Sequence, residues 1–308
     1  MAFCPTSRTS FSRTMRAQRM KGRYKALNAL GRRGPAVERA KREAAARRLI
    51  FCITSGRSGS GALAALMAHV SAVQSVHEPE PKFAWMVRAV QRDRATAEEF
   101  LIYDKLPVVF AAVPEGGTYF EGHNGFGKGF FEAMDHLGVM PDLVMLRRDR
   151  RAVARSLLRM DWVPGRSRYG LQFLVGPDDP VLVPLPDWRR CSDYQLCYWH
   201  VLETEARQAA YAARARECGA RILELTAERF REEDYLADKL AAFGIAVTVA
   251  ERAALNAERG DRFNALPPVR SDDASEAEFA AAETSLLAAL SRAGTRVGDE
   301  ASVAEAVE

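Results

Sequence analysis

The chain has 308 residues, 48% of them hydrophobic, enough to bury the core of one large domain with appendages. No run approaches the roughly 18 consecutive apolar residues of a membrane-spanning helix, and no apolar run follows the first charges as in a secretory signal, so the expectation is a soluble, cytoplasmic protein. The net charge of +4 is unevenly spread, because residues 1–48 hold 14 Lys and Arg against only Glu38 and Glu43, which leaves the remainder net acidic.

Residues 1–47 read as a basic N-terminal extension outside the core, since their charge comes without a matching apolar pattern. Such an arm suits a nucleic acid, an anionic surface or an acidic partner, or serves as an Arg-rich import peptide. Contact with an anionic surface or partner is the expectation, with no nucleic acid. The main domain is placed at 48–270. It opens with Leu49 to Ile53, LIFCI, a short apolar run bounded by polar residues that suits a strand buried on both faces. A Gly/Ser loop follows, and then Ala62, Leu63, Leu66, Met67 and Val70 recur at helical spacing. Val76-His77-Glu78-Pro79-Glu80 comes next, where a second strand or its loop returns to the same sheet edge.

Gly117 to Glu121 reads as a third strand entering the loop GHNGFGKG, before a helix around Phe130 to Leu137. The strand-to-helix grammar returns at Leu143 to Leu146, followed by RRDRR and a helical pattern through Val153, Leu157 and Met160. Residues 163–190, with Pro164, Pro177, Pro180, Pro184 and Pro186, read as an irregular excursion over the mouth of the site. A long helix from about Asp193 to Cys218 precedes a further strand at Arg221 to Leu225. Residues 271–308 read as an acidic helical tail, with Phe279, Leu286, Leu287 and Leu290 at helical spacing. Strands alternating with helices predict an α/β fold: a three-layer domain with a central, mainly parallel sheet and its site at the carboxyl ends of the strands. The five cysteines, Cys4, Cys52, Cys191, Cys197 and Cys218, include no Cys-x-x-Cys pair and read as reduced structural thiols.

The chemistry concentrates in Thr54-Ser55-Gly56-Arg57-Ser58-Gly59-Ser60-Gly61, which joins a buried strand to a helix. Free N–H groups and the helix dipole converge there and attract an anion. A nucleoside-triphosphatase loop would end in Gly-Lys-Ser/Thr. Here Gly61 is followed by Ala62, so no Lys reaches the β- and γ-phosphates, and the loop reads as built for one phosphate or sulfate group near Arg57.

Two segments together resemble the sulfotransferase family, which draws on 3′-phosphoadenosine 5′-phosphosulfate. Ile50 to Leu66, IFCITSGRSGSGALAAL, is similar to the family's loop around the donor's 5′-phosphosulfate, with Arg57 at the position of its Arg or Lys. Val144 to Leu157, VMLRRDRRAVARSL, is similar to the family's 3′-phosphate motif, with Arg148 and, eight positions on, Ser156. The Pro usual two positions after that Arg is Arg150 here. The resemblance implies a P-loop-like sulfotransferase fold, this donor as the cofactor, no metal, and a hydroxyl- or amine-bearing acceptor. Ser55, Gly56, Arg57, Ser58, Gly59, Ser60 and Gly61 would hold its 5′ end, and Arg148 and Ser156 its 3′-phosphate. Arg259-Gly260 would match a late basic loop over that phosphate. By the same resemblance Glu78 is the candidate base, with His123 as its rival, and Glu121 stands two positions earlier on a strand where it could orient His123. Tyr194, Tyr198 and Trp199 suit either adenine stacking or the core. The alternatives are a nucleotide kinase or other nucleotide-dependent group transferase, such as one using a nucleotide-sugar, and a non-catalytic nucleotide-binding module.

Overall fold

The computed structural model describes residues 8–258, 267–271 and 273–295, with side chains from residue 16 onward. Burial alternates along β1 (Arg48–Ile53): Leu49, Phe51 and Ile53 enter one apolar cluster and Ile50 and Cys52 another, all of them buried. A strand apolar on both sides belongs at the centre of a covered sheet. With β2 (Val73–His77), β3 (Thr118–Gly122), β4 (Asp142–Arg147) and β5 (Ile222–Thr226) it forms one sheet in the order β2-β3-β1-β4-β5, every pair parallel. The chain is therefore an α/β protein with a central parallel sheet between helical layers.

One layer holds α1 (Arg8–Ala29), α2 (Arg33–Ala45) and the short α4 (Val87–Val90), α5 (Ala95–Phe100) and α6 (Leu106–Ala112). It also includes α7 (Phe130–His136) and the far end of α10 (Asp193–Glu217). The other is built from α3 (Ser60–Met67), α11 (Tyr235–Ala242) and α12 (Val249–Ala257). A third cluster packs α8 (Arg150–Arg159), α10 and α13 (Glu276–Arg292) through Val153, Leu157, Trp199, Phe279, Leu286 and Leu290. The segment 163–190 is irregular except for α9 (Arg168–Phe173), capped by Ser167, and one 3-10 turn. It is tied down by Arg88 on Asp179 at 2.9 Å and by the indole of Trp199, which donates to Val183 O at 2.8 Å. Cys52, Cys191, Cys197 and Cys218 are all free thiols, and burial pushes Cys52 up to about 12. No helix of the described residues is long and apolar enough to cross a membrane.

The basic segment departs from expectation, since it is not an arm standing off the core. Residues 8–45 form α1 and α2, and Tyr24 and Ala40 are buried in the main apolar cluster. Met20, Ala36, Val37 and Ala44 also pack against that cluster, too sparse a set to write an apolar pattern, and ion pairs add to the docking. Lys21 pairs with Asp93 at 3.0 Å and Arg23 with Asp104 at 2.5 Å, while Tyr24 donates to Asp104 and Arg33 pairs with Glu98. Tyr24→Phe, which removes only the buried hydroxyl, should lower stability by about 1.5 kcal/mol in urea titration; an unchanged midpoint would mean that the hydroxyl contributes nothing to the docking.

Candidate functional site

The sheet order sends the chain from β1 toward β2 on one side and from β4 toward β5 on the other. The carboxyl ends of β1 and β4 thus flank a topological switch point, where ligands of open α/β sheets bind. Both sequence motifs arrive there. After β1 the loop turns through Gly56 at φ 81° and Gly59 at φ 91°, the latter capping α3. A side chain at Gly56 would also meet the Asn124 amide at 3.0 Å. Arg57 takes φ 58°, a left-handed conformation rare outside Gly, Asn and Asp that collects at functional sites. Ser55 and Ser58 join hydroxyls at 2.8 Å, and Ser60 and Gly61 lie in the first turn of α3. The start of that helix supplies unbonded N–H groups and the positive end of its dipole, so the turn attracts anions.

After β4, Asp149 caps α8 by accepting from Ala152 N at 2.7 Å, which starts the helix without a Pro and leaves Arg150 to pair with Glu205 at 2.7 Å. Nothing in the motif marks Asp149 as this cap. Arg148 Nη1 donates to Arg57 O at 3.0 Å, and Arg57 Nε donates to Ser156 Oγ at 3.1 Å. Residues separated by 91 and 99 positions thus meet at one point. Burial, then the nearness of Arg148 and Arg159, pulls the Arg57 guanidinium below its ordinary value, which marks a concentration of positive charge.

Glu78 follows β2 at φ 48°, with its N–H directed to Gly122 O at 3.4 Å and its carboxylate 3.9 Å from Lys82 Nζ. Its side chain is 31% exposed, open to an arriving molecule. His77, exposed beside it, has Nε2 3.5 Å from Ser60 Oγ, so an imidazole stands between the loop helix and Glu78. His123 is placed differently. It is 1% exposed, its ring is edge-on to Phe83, and its Nδ1 accepts from Gly125 N at 2.6 Å. Burial, with Lys105 and Lys128 nearby, pulls its pKa well below the ordinary value, so this ring stays neutral. Glu121 does not orient it. That carboxylate, 0% exposed, accepts from Lys105 Nζ and Tyr119 OH, each at 2.8 Å. Lys105 Nζ also reaches Pro79 O at 3.4 Å and Pro81 O at 3.3 Å, which ties the turn after Glu78 to the buried sheet.

Helix α10 backs the site from beneath. Gln208 Nε2 donates to Ile53 O at 2.7 Å and Leu146 O at 3.1 Å, pinning the ends of β1 and β4 together. His200, pulled down to about 3 mainly by burial, directs Nε2 to Ser55 O at 3.3 Å. Lys128, pulled down to about 7 by burial, donates to Asn124 Oδ1 and to Phe173 O. None of these three carries a local sequence signal. Tyr194, Tyr198 and Trp199 are buried core residues of α10, and Arg259-Gly260 lies outside the described residues. Comparison of the chain with protein-family models finds no match, and comparison with curated proteins finds none either.

Proposed function

We propose that the chain is a sulfotransferase that moves a sulfuryl group from 3′-phosphoadenosine 5′-phosphosulfate to a hydroxyl or amine acceptor. The observation that carries this reading is the meeting of Arg57 with Arg148 and Ser156 at the switch point. The donor has a phosphate at each end of its ribose, and two cationic clamps side by side suit it better than they suit a plain adenylate. The turn at Ser55 to Gly61 is the proposed phosphate-binding loop for the 5′ end, and Arg148 and Ser156 take the 3′-phosphate.

In the proposed step the acceptor oxygen attacks sulfur in line, the bond from sulfur to the 5′-phosphate oxygen breaks, and adenosine 3′,5′-bisphosphate leaves. Glu78 receives the acceptor's proton. Arg57 and the loop N–H groups stabilise the charge that builds on the departing phosphate, so catalysis rests on positioning and electrostatics. Exposure favours Glu78 over the buried His123 for contact with an acceptor. The test is release of the bisphosphate from the donor, dependent on an added acceptor; magnesium-dependent turnover of ATP in its place would point to a kinase.

Arg148→Ala should weaken the bisphosphate by roughly 10- to 150-fold, the loss of a charge-assisted hydrogen bond, and leave adenylate nearly unaffected. Equal weakening of both in calorimetric titration would remove the 3′-phosphate assignment.

A further inference from the structure

A groove of about 610 Å³ runs between α1, the segment 84–92 and α9. Its lining brings four cations, Lys21, Arg88, Arg92 and Arg168, from three separate elements, and no carboxylate lines it among the described residues. Asp93 and Asp179 offset Lys21 and Arg88 from outside the lining, at 3.0 and 2.9 Å. Gln18 of α1 and Gln172 of α9 add amide groups, and Trp85, one ring face of which is covered by the Arg16 guanidinium 3.3 Å from its centroid, adds an aromatic side chain. The volume fits a small-molecule or oligomer segment of a few rings.

Two runs of chain and hydrogen bonds lead from the candidate site to the walls of the groove. The turn leaving Glu78, held by Lys105, leads through Phe83 into Trp85. From the other side, α9 ends at Phe173, whose carbonyl accepts from Lys128 at 2.8 Å; Lys128 bonds Asn124, which stands against Gly56 of the loop. Cations select acid groups, amides suit hydroxyls, and an aromatic side chain suits the apolar face of a ring. We propose that this groove binds an acidic saccharide and, resting on the transfer reading above, that the saccharide is the acceptor. The docked basic helix is then a wall of the site, which explains why α1 is fastened to the body by ion pairs.

The experiment is calorimetric titration of the full chain with three probes: a hexagalacturonate, the neutral maltohexaose and a hexaglutamate peptide. The hexagalacturonate should bind in a salt-sensitive way, and the neutral sugar and the peptide should bind at least about tenfold more weakly. Arg92→Glu combined with Arg168→Glu should weaken the acidic sugar by about tenfold or more and leave adenosine 3′,5′-bisphosphate binding unchanged. Gln172→Glu serves as a second variant with the same expected direction should the double variant fail to fold. No binding of hexagalacturonate, equal binding of the peptide, or indifference to the folded variants would overturn the proposal. Binding without sulfuryl transfer on addition of the donor would leave the groove standing and remove its acceptor role, while bisphosphate binding with no saccharide binding would remove the groove and leave the donor reading.

Discussion

Glu78→Gln is expected to reduce sulfuryl transfer by a factor of about 100 to 10,000, the range for removal of a general base, with donor affinity nearly unchanged. The substitution keeps size and shape, and the Glu78 backbone is held independently of its carboxylate by β2 and by the Lys105 contacts to Pro79 and Pro81. A loss confined to kcat therefore reports chemistry and not loop collapse. His123→Asn is the contrast. Its ring sits against Phe83 with Nε2 unpartnered among the described residues, so its replacement should cost stability more than transfer. If His123→Asn abolished transfer while Glu78→Gln kept most of it, the roles would be reversed. If both kept full activity with an identified acceptor, the exposed His77 beside Ser60 would be the next residue to replace.

Lys105→Met is expected to destabilise the fold by about 3 to 5 kcal/mol, the cost of removing one partner of a buried ion pair. Lys105 and Glu121 have side chains 1% and 0% exposed at 2.8 Å, so water does not screen them. In the variant Glu121 would keep only the Tyr119 hydroxyl. Burial already raises the Glu121 pKa and Lys105 opposes that rise, so without the lysine the carboxyl should take up a proton more readily. The loss measured by urea unfolding should accordingly shrink as pH falls and the carboxyl becomes neutral. A loss under about 1 kcal/mol would show that the pair is dispensable and that Pro79 and Pro81 are held in another way.

Strands β1 and β4 were legible because a strand buried on both faces writes a short unbroken apolar run, and LIFCI and LVML stand within them. The helices after them were legible from one apolar stripe, as in Val153 and Leu157 of α8. The segment 83–112 was not. Its buried residues, among them Phe83, Met86, Val87, Val90, Phe100, Leu101 and Leu106, are spread over several short helices and a π-helical turn at Leu101–Lys105, so no single period runs through them. Docking of α1 was hidden for a different reason, since Lys21 and Arg23 find their acids at Asp93 and Asp104, far along the chain. Within the candidate site, loop residues 54–61 could be picked out by type, and Arg148 and Ser156 only through the resemblance to a family motif. The supports beneath them, Gln208 and His200, could not, because a buried polar residue on a long helix has no local pattern to distinguish it from an exposed one.

Two proposed phosphate clamps meet at the ends of β1 and β4, and the most direct test of them is the melting temperature with adenosine 3′,5′-bisphosphate against adenylate at equal concentration. A ligand at about 100 times its dissociation constant adds about 2.7 kcal/mol of stability, so the nucleotide that engages both clamps should shift the transition further. The account predicts a clearly larger rise with the bisphosphate, abolished in Arg148→Ala. Equal shifts from the two nucleotides, or a larger shift from ATP with magnesium, would contradict it.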